Sequence, residues 1–539
     1  MAPVSPTGHA AAPGTGLAET AAADPGTTYA PGMPGTRWNT TTTRRGALAL
    51  GGAAALTACS PVPPRGSDLG VRVRARDWRR LAGAVRGTLT RPGDAGYRNA
   101  RLVENPAFDA ARPLAVLSVR SAADVATGLA FAREHGVEVA LRSGGHSYPG
   151  WSAGDGRLVV DVRPLATVRP TADGTGAVIG AGASLARVYE TLADRGRGLA
   201  AGSCPTVGIA GLTQGGGIGI VGRAHGLTCD AVTAMQVVTA AGEVVTASAQ
   251  QEPDLYWALR GGGGGHLGVV TSFTVDTFAA PAVSTAFLQW PLAAAESVLP
   301  AWQAWAPAED ARLWSTLRAL SGTAHRGGPV LALSVTWTGP DTGLAAPMSR
   351  LLADVPPPTV DRRLRRTFRA VTRAYAGCTD VPVEDCRSAP AGALARRRFA
   401  ATSHVAYDPL PERDVGLLVD RLADAHGSGL VEAGISLDVL GGRIADPAPG
   451  DTAFVHRQAL ATVQYTATHL ADDRQRAVGF VRGSRAALTP AWGEHAYVNY
   501  ADAAVGDHRT AYFGANAVRL AAVRQRYDPD GFFTQPQGF

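Results

Sequence analysis

Two side chains that can form covalent bonds lie in glycine-rich stretches of the sequence. His146 belongs to RSGGHSYPG (142–150), and Cys204 belongs to AGSCPTVGIAGLTQGGGIGIVGRAHG (201–226). A third glycine-rich stretch, RGGGGGHLGVV, covers residues 260–270. Successive backbone N–H groups in glycine turns form concavities that bind anions, so phosphate groups are suitable ligands. A nucleophilic side chain in such a loop can become a covalent tether for the cofactor that the loop holds.

The second of these stretches contains GIGIVG (217–222), which matches the dinucleotide-binding pattern G-x-G-x-x-G. That pattern binds a dinucleotide only when a buried strand precedes it and a helix follows it. The preceding residues, CPTVGIAGLTQGG, are too rich in glycine for a buried strand, and Gly226 interrupts the segment that follows. The context therefore argues against a Rossmann unit and against a nicotinamide-dependent dehydrogenase.

The helices and strands that the sequence predicts around these loops indicate an α+β fold. In the first part of the chain, SAADVATGLAFAREHG (121–136) and SLARVYETLADRG (184–196) have helical spacing, and Ser184 is the expected N-cap. AVTAMQVVTAAGEVVTAS (231–248) predicts a hairpin with its turn at Ala241-Gly242. Short helices and strands of this kind form small units and hairpins, and they do not form one doubly wound sheet.

The pattern of the sequence changes after about residue 280. Strands such as TAFLQWP and PVLALSVTWTG alternate with amphipathic helices such as RDVGLLVDRLADAHG up to about residue 490. This pattern predicts an antiparallel sheet backed by helices, in a second domain. Within residues 510–533 we expect one helix that ends before Asp528.

Four motifs, in order along the chain, resemble those of the berberine bridge enzyme-like oxidases of the p-cresol methylhydroxylase and vanillyl-alcohol oxidase superfamily. They are RSGGHS, GSCPTVGIAGLTQGGGIG, DLYWALRGGGGGHLGVVTSF, and YVNYAD with the following YFG and RYDPDGFF. The resemblance implies a two-part FAD-binding domain of the p-cresol methylhydroxylase type (105–279), a substrate domain (280–490) and a C-terminal segment that completes the flavin site (491–539). It also implies one FAD with an 8α-histidyl bond to His146 and a 6-S-cysteinyl bond to Cys204.

The resemblance assigns the rest of the cofactor site to the glycine-rich loops and the C-terminal segment. The further cofactor-binding residues expected are Arg142, Ser143, Gly144, Gly145, Ser147, Ser203, Val207, Gly208, Gly211, Gly215, Gly216, Gly217, Gly219, Gly268, Val269, Val270 and Asn499. Val207 corresponds to the family's oxygen gate, where valine favours access of O2 to the flavin. His266 departs from the family pattern, which usually has asparagine there, and we expect the exchange to be tolerated at the edge of the loop.

The catalytic base is expected in the second domain or in the C-terminal segment. Alternation in YVNY places Tyr497 and Asn499 on one face of a predicted strand and Tyr500 on the other. A tyrosine base near neutral pH needs a pKa below its usual value of about 10. By resemblance to carbohydrate-oxidising members, Asp438 helps a tyrosine to accept the proton, and Gln464 lies on the substrate side. The expected catalytic set is therefore Tyr497, Tyr500, Asp438 and Gln464.

The resemblance implies an oxidase in which a substrate alcohol gives hydride to FAD and O2 reoxidises the flavin to give H2O2. Its expected substrate is a small molecule or an oligosaccharide. Two other classes stay open. One is an FAD-linked dehydrogenase that passes its electrons to a different acceptor, and the other is a non-catalytic, exported binding lipoprotein.

The N-terminal sequence predicts export. Residues 1–43 are poor in large apolar side chains and predict a disordered leader. Residues 44–59 begin with Arg44-Arg45, continue with a short apolar run and end at Cys59, which resembles a twin-arginine signal with a lipoprotein cleavage box. The run is too short for a membrane span, which takes about 20 residues. We expect an extracellular or cell-surface lipoprotein that contacts the membrane only through a lipid anchor at Cys59.

Charge and cysteine content bear on nucleic-acid binding, disulfides and metal sites. The formal net charge is +6, and the 51 basic residues, all arginine, are scattered along the chain. This distribution indicates a solvated surface and no nucleic-acid interface. Cys378 and Cys386 are expected to form a disulfide, because export permits one and no zinc-site spacing surrounds them. Cys229 has no motif context and is expected to be a core thiol, and no metal site is predicted.

Overall fold

The computed structural model describes residues 73–539. The predicted leader, the predicted export signal and Cys59 lie outside these described residues. Within residues 73–539, no helix combines the length and the apolar character that a membrane crossing requires.

The chain first builds a four-stranded sheet. In spatial order its strands are Thr88–Thr90, Ala115–Ser118, Leu158–Asp161 and Val139–Arg142. The last three are parallel, and the helix Ala122–Glu134, predicted from its spacing, makes one of the crossovers between them. The helix Ala75–Ala84 packs against it. This helix and the first strand precede residue 105.

A five-stranded antiparallel sheet follows in the same domain. In spatial order its strands are Val168–Pro170, Gly176–Gly180, Val269–Asp276, Val232–Val238 and Val244–Ser248. The last two form the predicted hairpin, in which Gly242 N donates to the Thr239 carbonyl at 2.9 Å. The helix Leu185–Ala193 begins at the predicted cap, because Ser184 Oγ accepts a hydrogen bond from Arg187 N.

The second domain is built on a seven-stranded antiparallel sheet. In spatial order its strands are Val360–Thr367, Ala282–Pro291, Val330–Trp337, Leu313–Ser321, Glu432–Val439, Ala461–Thr468 and Phe399–Ala406. The helices that pack against it are Ala295–Ala308, Glu412–His426 and Arg474–Trp492. This is the predicted arrangement of an antiparallel sheet backed by helices.

The C-terminal segment contains two helices where the sequence predicted one. His508–Phe513 and Ala517–Tyr527 are separated by the turn Gly514–Asn516. Gly514 has a φ of +48°, a left-handed conformation that ends a helix. The second helix ends before Asp528, as predicted.

The remaining elements are short and connect the three sheets. The strands Arg197–Gly198 and Phe278–Ala279 pair as a ribbon. The connecting helices are Tyr97–Ala100, Pro106–Phe108, Trp151–Ala153, Ile209–Gln214, Gly222–His225, Thr228–Ala231, Pro253–Ala258, Leu292–Ala294, Asp341–Leu344, Ala345–Ala353, Phe368–Tyr375, Gly442–Ile444, Ala471–Asp473 and Val498–Tyr500. The predicted α+β class is confirmed.

Candidate active site

A cavity of about 760 Å³ lies between the glycine-rich loops of the first domain and the sheet of the second. We call the cavity-lining residues of 142–152, 202–220 and 263–270 the loop wall. The sheet wall consists of the side chains that the seven-stranded sheet presents to the cavity. These are Phe287, Trp314, Thr316, Arg318, Leu320, Ser334, Phe399, Glu432, Ser436, Asp438, Gln464, Thr466 and Thr468.

Most of the residues predicted from the sequence line this one cavity. On the loop wall they are Arg142, Ser143, Gly144, Gly145, His146, Ser147, Ser203, Cys204, Val207, Gly208, Gly211, Gly219, Gly268, Val269 and Val270. From the second domain and the C-terminal segment they are Asp438, Gln464, Tyr497, Asn499 and Tyr500. Residues separated by more than 300 positions in the chain therefore meet at one site.

Three predicted cofactor-binding residues, Gly215, Gly216 and Gly217, do not line the cavity. A Cβ added to Gly215 would lie 2.1 Å from Asn499 Oδ1, and one added to Gly216 would lie 2.9 Å from the Phe454 ring. Gly217 N donates to the Tyr497 hydroxyl at 3.0 Å. These glycines permit close packing against the second domain and the C-terminal segment, and their contact with the cofactor stays a prediction.

The loop wall depends on the close approach of two loops at Gly144 and Gly208. A Cβ on either residue would lie 2.2 Å from the backbone nitrogen of the other. Only glycine permits this contact, because a real Cβ needs more than 3 Å. The loops that carry His146 and Cys204 are thereby held together.

Arg142 lines the cavity but is tied to the protein. Its guanidinium donates to the carbonyl of Ser152 at 2.9 Å and to that of Ala100 at 2.6 Å, and it lies 3.8 Å from Asp161. Burial lowers the pKa of Arg142 to about 10, although Asp161 opposes the shift. These bonds show that the side chain of Arg142 anchors the loop that carries His146.

His146 and Cys204 reach the same part of the loop wall. His146 Nε2 lies 2.8 Å from Thr206 Oγ1, and Thr206 follows Cys204 by two positions. Burial lowers the pKa of His146, while the nearby Glu104 raises it. Cys204 is a reduced, partly exposed thiol. The two candidate tethers therefore line the same cavity.

The other cysteines behave as the sequence predicted. Cys378 and Cys386 form a disulfide, and both are buried. Cys229 is a buried thiol whose pKa is raised by burial. It packs in a small cluster behind Gly216 and Gly217, away from the cavity.

The YVNY segment is not the strand that alternation predicted. Val498–Tyr500 is a turn of 3₁₀ helix, so Tyr497 and Tyr500 are brought edge to face with ring centroids 4.9 Å apart. The Tyr497 hydroxyl accepts from Gly217 N at 3.0 Å and from Asn499 Nδ2 at 2.8 Å. Asn499 Nδ2 also donates to the Leu212 carbonyl. Tyr497 and Asn499 thus attach the C-terminal segment to the loop wall.

Tyr500 belongs to a second group, which includes a residue that the sequence analysis missed. Its ring stacks on that of Tyr148, with centroids 5.5 Å apart and planes at 3°. Gln464 Nε2 donates to the Tyr148 hydroxyl at 2.5 Å. Burial raises the pKa of Tyr500 well above 10, and Asp438 adds to the shift. The available signal for Tyr148 was its place two residues after His146 in the glycine-rich motif.

Asp438 is the carboxylate nearest this group on the sheet wall. Thr316 Oγ1, on the adjacent strand, donates to Asp438 Oδ1 at 2.5 Å. Burial raises the pKa of Asp438, and the hydrogen bond from Thr316 and the charge of Arg318 oppose the shift. A carboxyl group with a raised pKa takes up a proton more readily than an exposed one.

Alternate residues of four neighbouring strands make the sheet wall polar. Along Glu432–Val439 the cavity side carries Glu432, Ser436 and Asp438, and along Ala461–Thr468 it carries Gln464, Thr466 and Thr468. Successive side chains of a strand point to opposite faces, so each polar residue here has a core neighbour in the sequence. Hydroxyl, amide and carboxylate groups on one wall suit a ligand that has many hydroxyl groups.

Comparisons with known proteins identify the family of this chain. A model of an FAD binding domain matches residues 113–248, and a model described as berberine and berberine like matches residues 496–539. The chain is 31% identical over 453 residues to the uncharacterized FAD-linked oxidoreductase YgaK of Bacillus subtilis, covering 83% of this chain and 95% of that protein. It is 30% identical over 448 residues to the chitooligosaccharide oxidase of Gibberella zeae, covering 79% and 87%.

The chain belongs to the berberine bridge enzyme-like FAD-linked oxidoreductases. The family includes carbohydrate oxidases. Its solved structures have the same fold: Physcomitrella patens BBE-like 1 has a TM-score of 0.78 at 26% identity, covering 86% of this chain and 98% of that one. The carbohydrate oxidase from Microdochium nivale has a TM-score of 0.76 at 25% identity, covering 86% and 99%.

The cavity of this berberine bridge enzyme-like protein fits FAD. Its loop wall presents backbone N–H groups of glycine-rich turns, which suit phosphates. Among the buried polar atoms of cavity-lining residues, Gln214 Oε1 and His266 Nδ1 on the loop wall have no hydrogen-bond partner within residues 73–539. Buried polar groups are normally paired, so these atoms are suited to a polar ligand. GIGIVG follows the short helix Ile209–Gln214 and no strand, as expected for an accidental match.

His266 of this berberine bridge enzyme-like protein is more enclosed than expected for a loop edge. It is 3% exposed, and its ring lies 5.2 Å from that of Phe539. Burial lowers its pKa to about 3, so the side chain is neutral at physiological pH. Gln535, in the same C-terminal tail, donates to the Gly264 carbonyl at 2.8 Å. The tail therefore packs on the third glycine-rich loop at one end of the cavity.

Proposed function

We propose that this oxidoreductase is an oxidase of carbohydrate-like alcohols that holds FAD through His146 and Cys204 and uses O2 as acceptor. The observation that carries the proposal is the pairing of two walls across one cavity. The loop wall has the two nucleophilic side chains and the glycine turns, and the sheet wall has a dense set of polar side chains. The similarity to a chitooligosaccharide oxidase supports an oligosaccharide substrate.

The residues that would hold the flavin lie on the loop wall. His146 and Cys204 would form the two covalent bonds, while backbone groups of Ser143 to Gly145 and of Val207 to Gly208 would contact the ring and the pyrophosphate. When bound, FAD would supply the hydride acceptor for the substrate carbon and the route for electrons to O2. The protein must then orient the substrate and remove its hydroxyl proton.

We assign Tyr500 to relay this proton at Oη: burial raises its pKa well above 10, so its hydroxyl is protonated and would accept the substrate proton only as it gives its own proton to Asp438. Its ring is held by stacking on Tyr148. The Tyr497 hydroxyl is occupied by two donors and is less suited to the task. The Asp438 carboxylate, whose pKa is raised by burial, would be the final acceptor, because it would take the phenolic proton of Tyr500 as the substrate proton replaces it. Gln464 would orient the substrate together with Tyr148.

The acceptor and the location of the enzyme are parts of the same proposal. Val207 is partly buried and lines the cavity close to Cys204, where a small side chain leaves room for O2. The twin-arginine motif at Arg44-Arg45 and the cysteine at position 59 support export to the cell surface, with a lipid anchor at Cys59. Export in the folded state suits an enzyme that carries its cofactor.

The proposal is tested by denaturing the purified protein in acid and measuring its intact mass and visible spectrum. We expect the mass of one FAD to remain with the polypeptide. It should remain in His146→Ala and in Cys204→Ala and be lost in the double variant. Oxidase activity is tested with oligosaccharides in air, with H2O2 as the product. A flavin that substrate reduces but air does not reoxidise would favour a dehydrogenase, and a protein without flavin would leave only a binding function.

A further inference from the structure

A carboxylate next to His146 has no part in the function proposed above. Glu104 Oε2 lies 3.7 Å from His146 Nε2, and the two side chains are only 18% and 19% exposed. Glu104 N donates to the Gly145 carbonyl at 3.1 Å, which fixes the backbone of Glu104 on the loop that carries His146. Because this contact joins residues that immediately precede His146, the distance between carboxylate and imidazole is set locally.

The second domain holds Glu104 from the other side. Ser388 Oγ donates to Glu104 Oε2. The residues on either side of Glu104 are fixed as well, since Arg396 Nε donates to the Val103 carbonyl at 2.9 Å and Asn105 Nδ2 donates to the Phe399 carbonyl at 2.8 Å. Three consecutive residues are therefore clamped by one segment of the second domain, which leaves the Glu104 carboxylate little freedom to move away from His146.

This arrangement selects one form of the imidazole. A neutral histidine has one ring N–H and one nitrogen with a free lone pair, and the hydrogen-bond partners decide which is which. Nε2 of His146 faces the Thr206 hydroxyl oxygen at 2.8 Å and the Glu104 carboxylate. An ionised carboxylate can only accept a hydrogen bond, so the proton is favoured on Nε2. The lone pair is then on Nδ1, the other ring nitrogen.

We propose that Glu104 is the positioning residue for the covalent attachment of the flavin to His146, an inference that rests on the histidyl bond of the proposed function. Glu104 keeps the proton on Nε2 and thereby leaves Nδ1 free to form the bond. It then stabilises the positive ring that bond formation creates, and it accepts the Nε2 proton.

The step balances with O2 as oxidant. One bond forms, between His146 Nδ1 and the 8α carbon of the flavin. Two bonds break: a C–H bond at that carbon and the N–H bond at Nε2, and both hydrogens leave as protons. The flavin ring system takes up the two electrons, and O2 removes them with two protons to give H2O2.

Attachment can be followed without turnover of any substrate. In a Cys204→Ala background only His146 can hold the flavin, so the FAD mass that remains on denatured polypeptide reports this bond alone. Full-length apoprotein is mixed with FAD in air and sampled over time. We expect Glu104→Gln to slow attachment at least about tenfold, since positioned proton acceptors contribute about 10²–10⁴-fold to such steps. The affinity for non-covalent FAD should stay the same, and Glu104→Asp should recover part of the rate.

The matched control is Glu138→Gln, which neutralises a half-exposed glutamate that pairs with Arg157 at 2.9 Å and does not line the cavity. It should attach flavin at the rate of the Cys204→Ala parent. Ser388→Ala gives a second variant that keeps the carboxylate and removes only its hydrogen bond, and it should slow attachment less than Glu104→Gln does. In both proteins the rate falls at acid pH as His146 is protonated, and because the Glu104 charge raises the pKa of His146, this fall should move to lower pH in Glu104→Gln, which a merely structural role would not cause.

Attachment in Glu104→Gln at the parental rate would overturn the inference and leave the proposed function intact. Slow attachment that accompanies weak non-covalent binding of FAD would also overturn it, because the glutamate would then be needed only for the shape of the site. If the Cys204→Ala parent itself retains no FAD mass, the histidyl bond of the proposed function is wrong and the inference fails with it.

Discussion

The two walls of the cavity are built on opposite principles. The loop wall offers mostly backbone, and its shape depends on places such as Gly144 and Gly208 where two loops leave no room for a Cβ. The sheet wall offers side chains at every second position of antiparallel strands, held by a backbone that pairs in regular register. The loop wall recognises a ligand through its backbone groups and the shape of its loops. The sheet wall recognises a ligand through its side chains.

This difference predicts how each wall responds to substitution. On the loop wall, one added methyl group changes the backbone path and with it the whole cofactor site. On the sheet wall, a side chain can be exchanged while the strand and its hydrogen bonds stay in place. Substrate preference can therefore diverge among proteins of this fold while the cofactor site stays the same. Substitutions chosen in pairs test this contrast.

The largest effect is expected for the two tyrosines of the YVNY segment, Tyr500 and Tyr497. Tyr500→Phe removes the proposed proton relay and should lower kcat by about 10²–10⁴-fold with unchanged FAD content. Tyr497→Phe leaves the donors Gly217 N and Asn499 Nδ2 without their acceptor, which should cost about 1–3 kcal/mol of stability. Anaerobic stopped-flow reduction of the flavin by a substrate oligosaccharide and thermal unfolding measure the two effects. A larger loss of rate in Tyr497→Phe would assign the proton relay to that residue.

The next effect separates a glycine of the loop wall from a glycine outside the cavity. In Gly208→Ala the new Cβ would lie 2.2 Å from Gly144 N, whereas a Cβ at the exposed Gly479, which does not line the cavity, has no atom within 4 Å. Overpacking of this kind costs about 1–3 kcal/mol, so the Kd for FAD should rise by roughly 10–100-fold in Gly208→Ala. Gly479→Ala should leave it unchanged. Both are measured by flavin fluorescence in the His146→Ala/Cys204→Ala background, and equal Kd values would show that the loop contact does not shape the cofactor site.

The sequence predicts the loop wall better than the sheet wall. His146, Cys204 and the glycines near them share short motifs, so they were found together, and the α+β fold with its helix-backed sheet was predicted from periodicity. Tyr148 was missed although it lies in one of those motifs. Thr316 was missed because its role depends on the strand pairing that brings it to Asp438, 122 positions away. The strand predicted for YVNY was wrong because packing of Tyr497 against Gly217 turns the chain there.

A third prediction concerns the carboxylate of the sheet wall. Burial raises the pKa of Asp438, so the folded state favours its neutral form. Its charge therefore lowers stability as pH rises above the unfolded pKa of about 3.9, and this loss is complete above the folded pKa. Asp438→Asn should melt at a higher temperature than the parent at pH 7, and the difference should shrink as pH falls towards 4.

The same substitution should lower kcat by about 10²-fold, because it removes the proposed final acceptor of the substrate proton. Stability is measured by thermal unfolding across pH, and activity with the oligosaccharide used for Tyr500→Phe. Ser436→Ala, on the same strand and the same side, serves as the control and should change neither property in a pH-dependent way. A lower melting temperature for Asp438→Asn at pH 7 would contradict the assignment of Asp438 as a carboxylate destabilised by burial.

The smallest effect compares buried histidines on the two sides of the cavity. Burial lowers the pKa of His266, His404 and His456 to about 3 and that of His225 to about 4. The unfolded chain binds these protons near pH 6.5, so stability is complete above that pH and is lost as pH falls towards the folded values. Each histidine contributes a slope of about 1.4 kcal/mol per pH unit in that window.

His266→Asn should therefore reduce the acid-dependent loss of stability and should not abolish it, because burial also lowers the pKa of four other histidines, including His146. The free energy of unfolding in urea at pH 5, 6 and 7 gives the slope. His426→Asn, at an exposed position, should keep the parental slope. Because asparagine is smaller than the imidazole that packs on Phe539, His266→Asn should also lose about 1 kcal/mol at pH 7 through the space that it leaves. An unchanged slope would mean that His266 is already exposed to protons in the folded protein, and the end of the cavity near Phe539 would then be open to solvent.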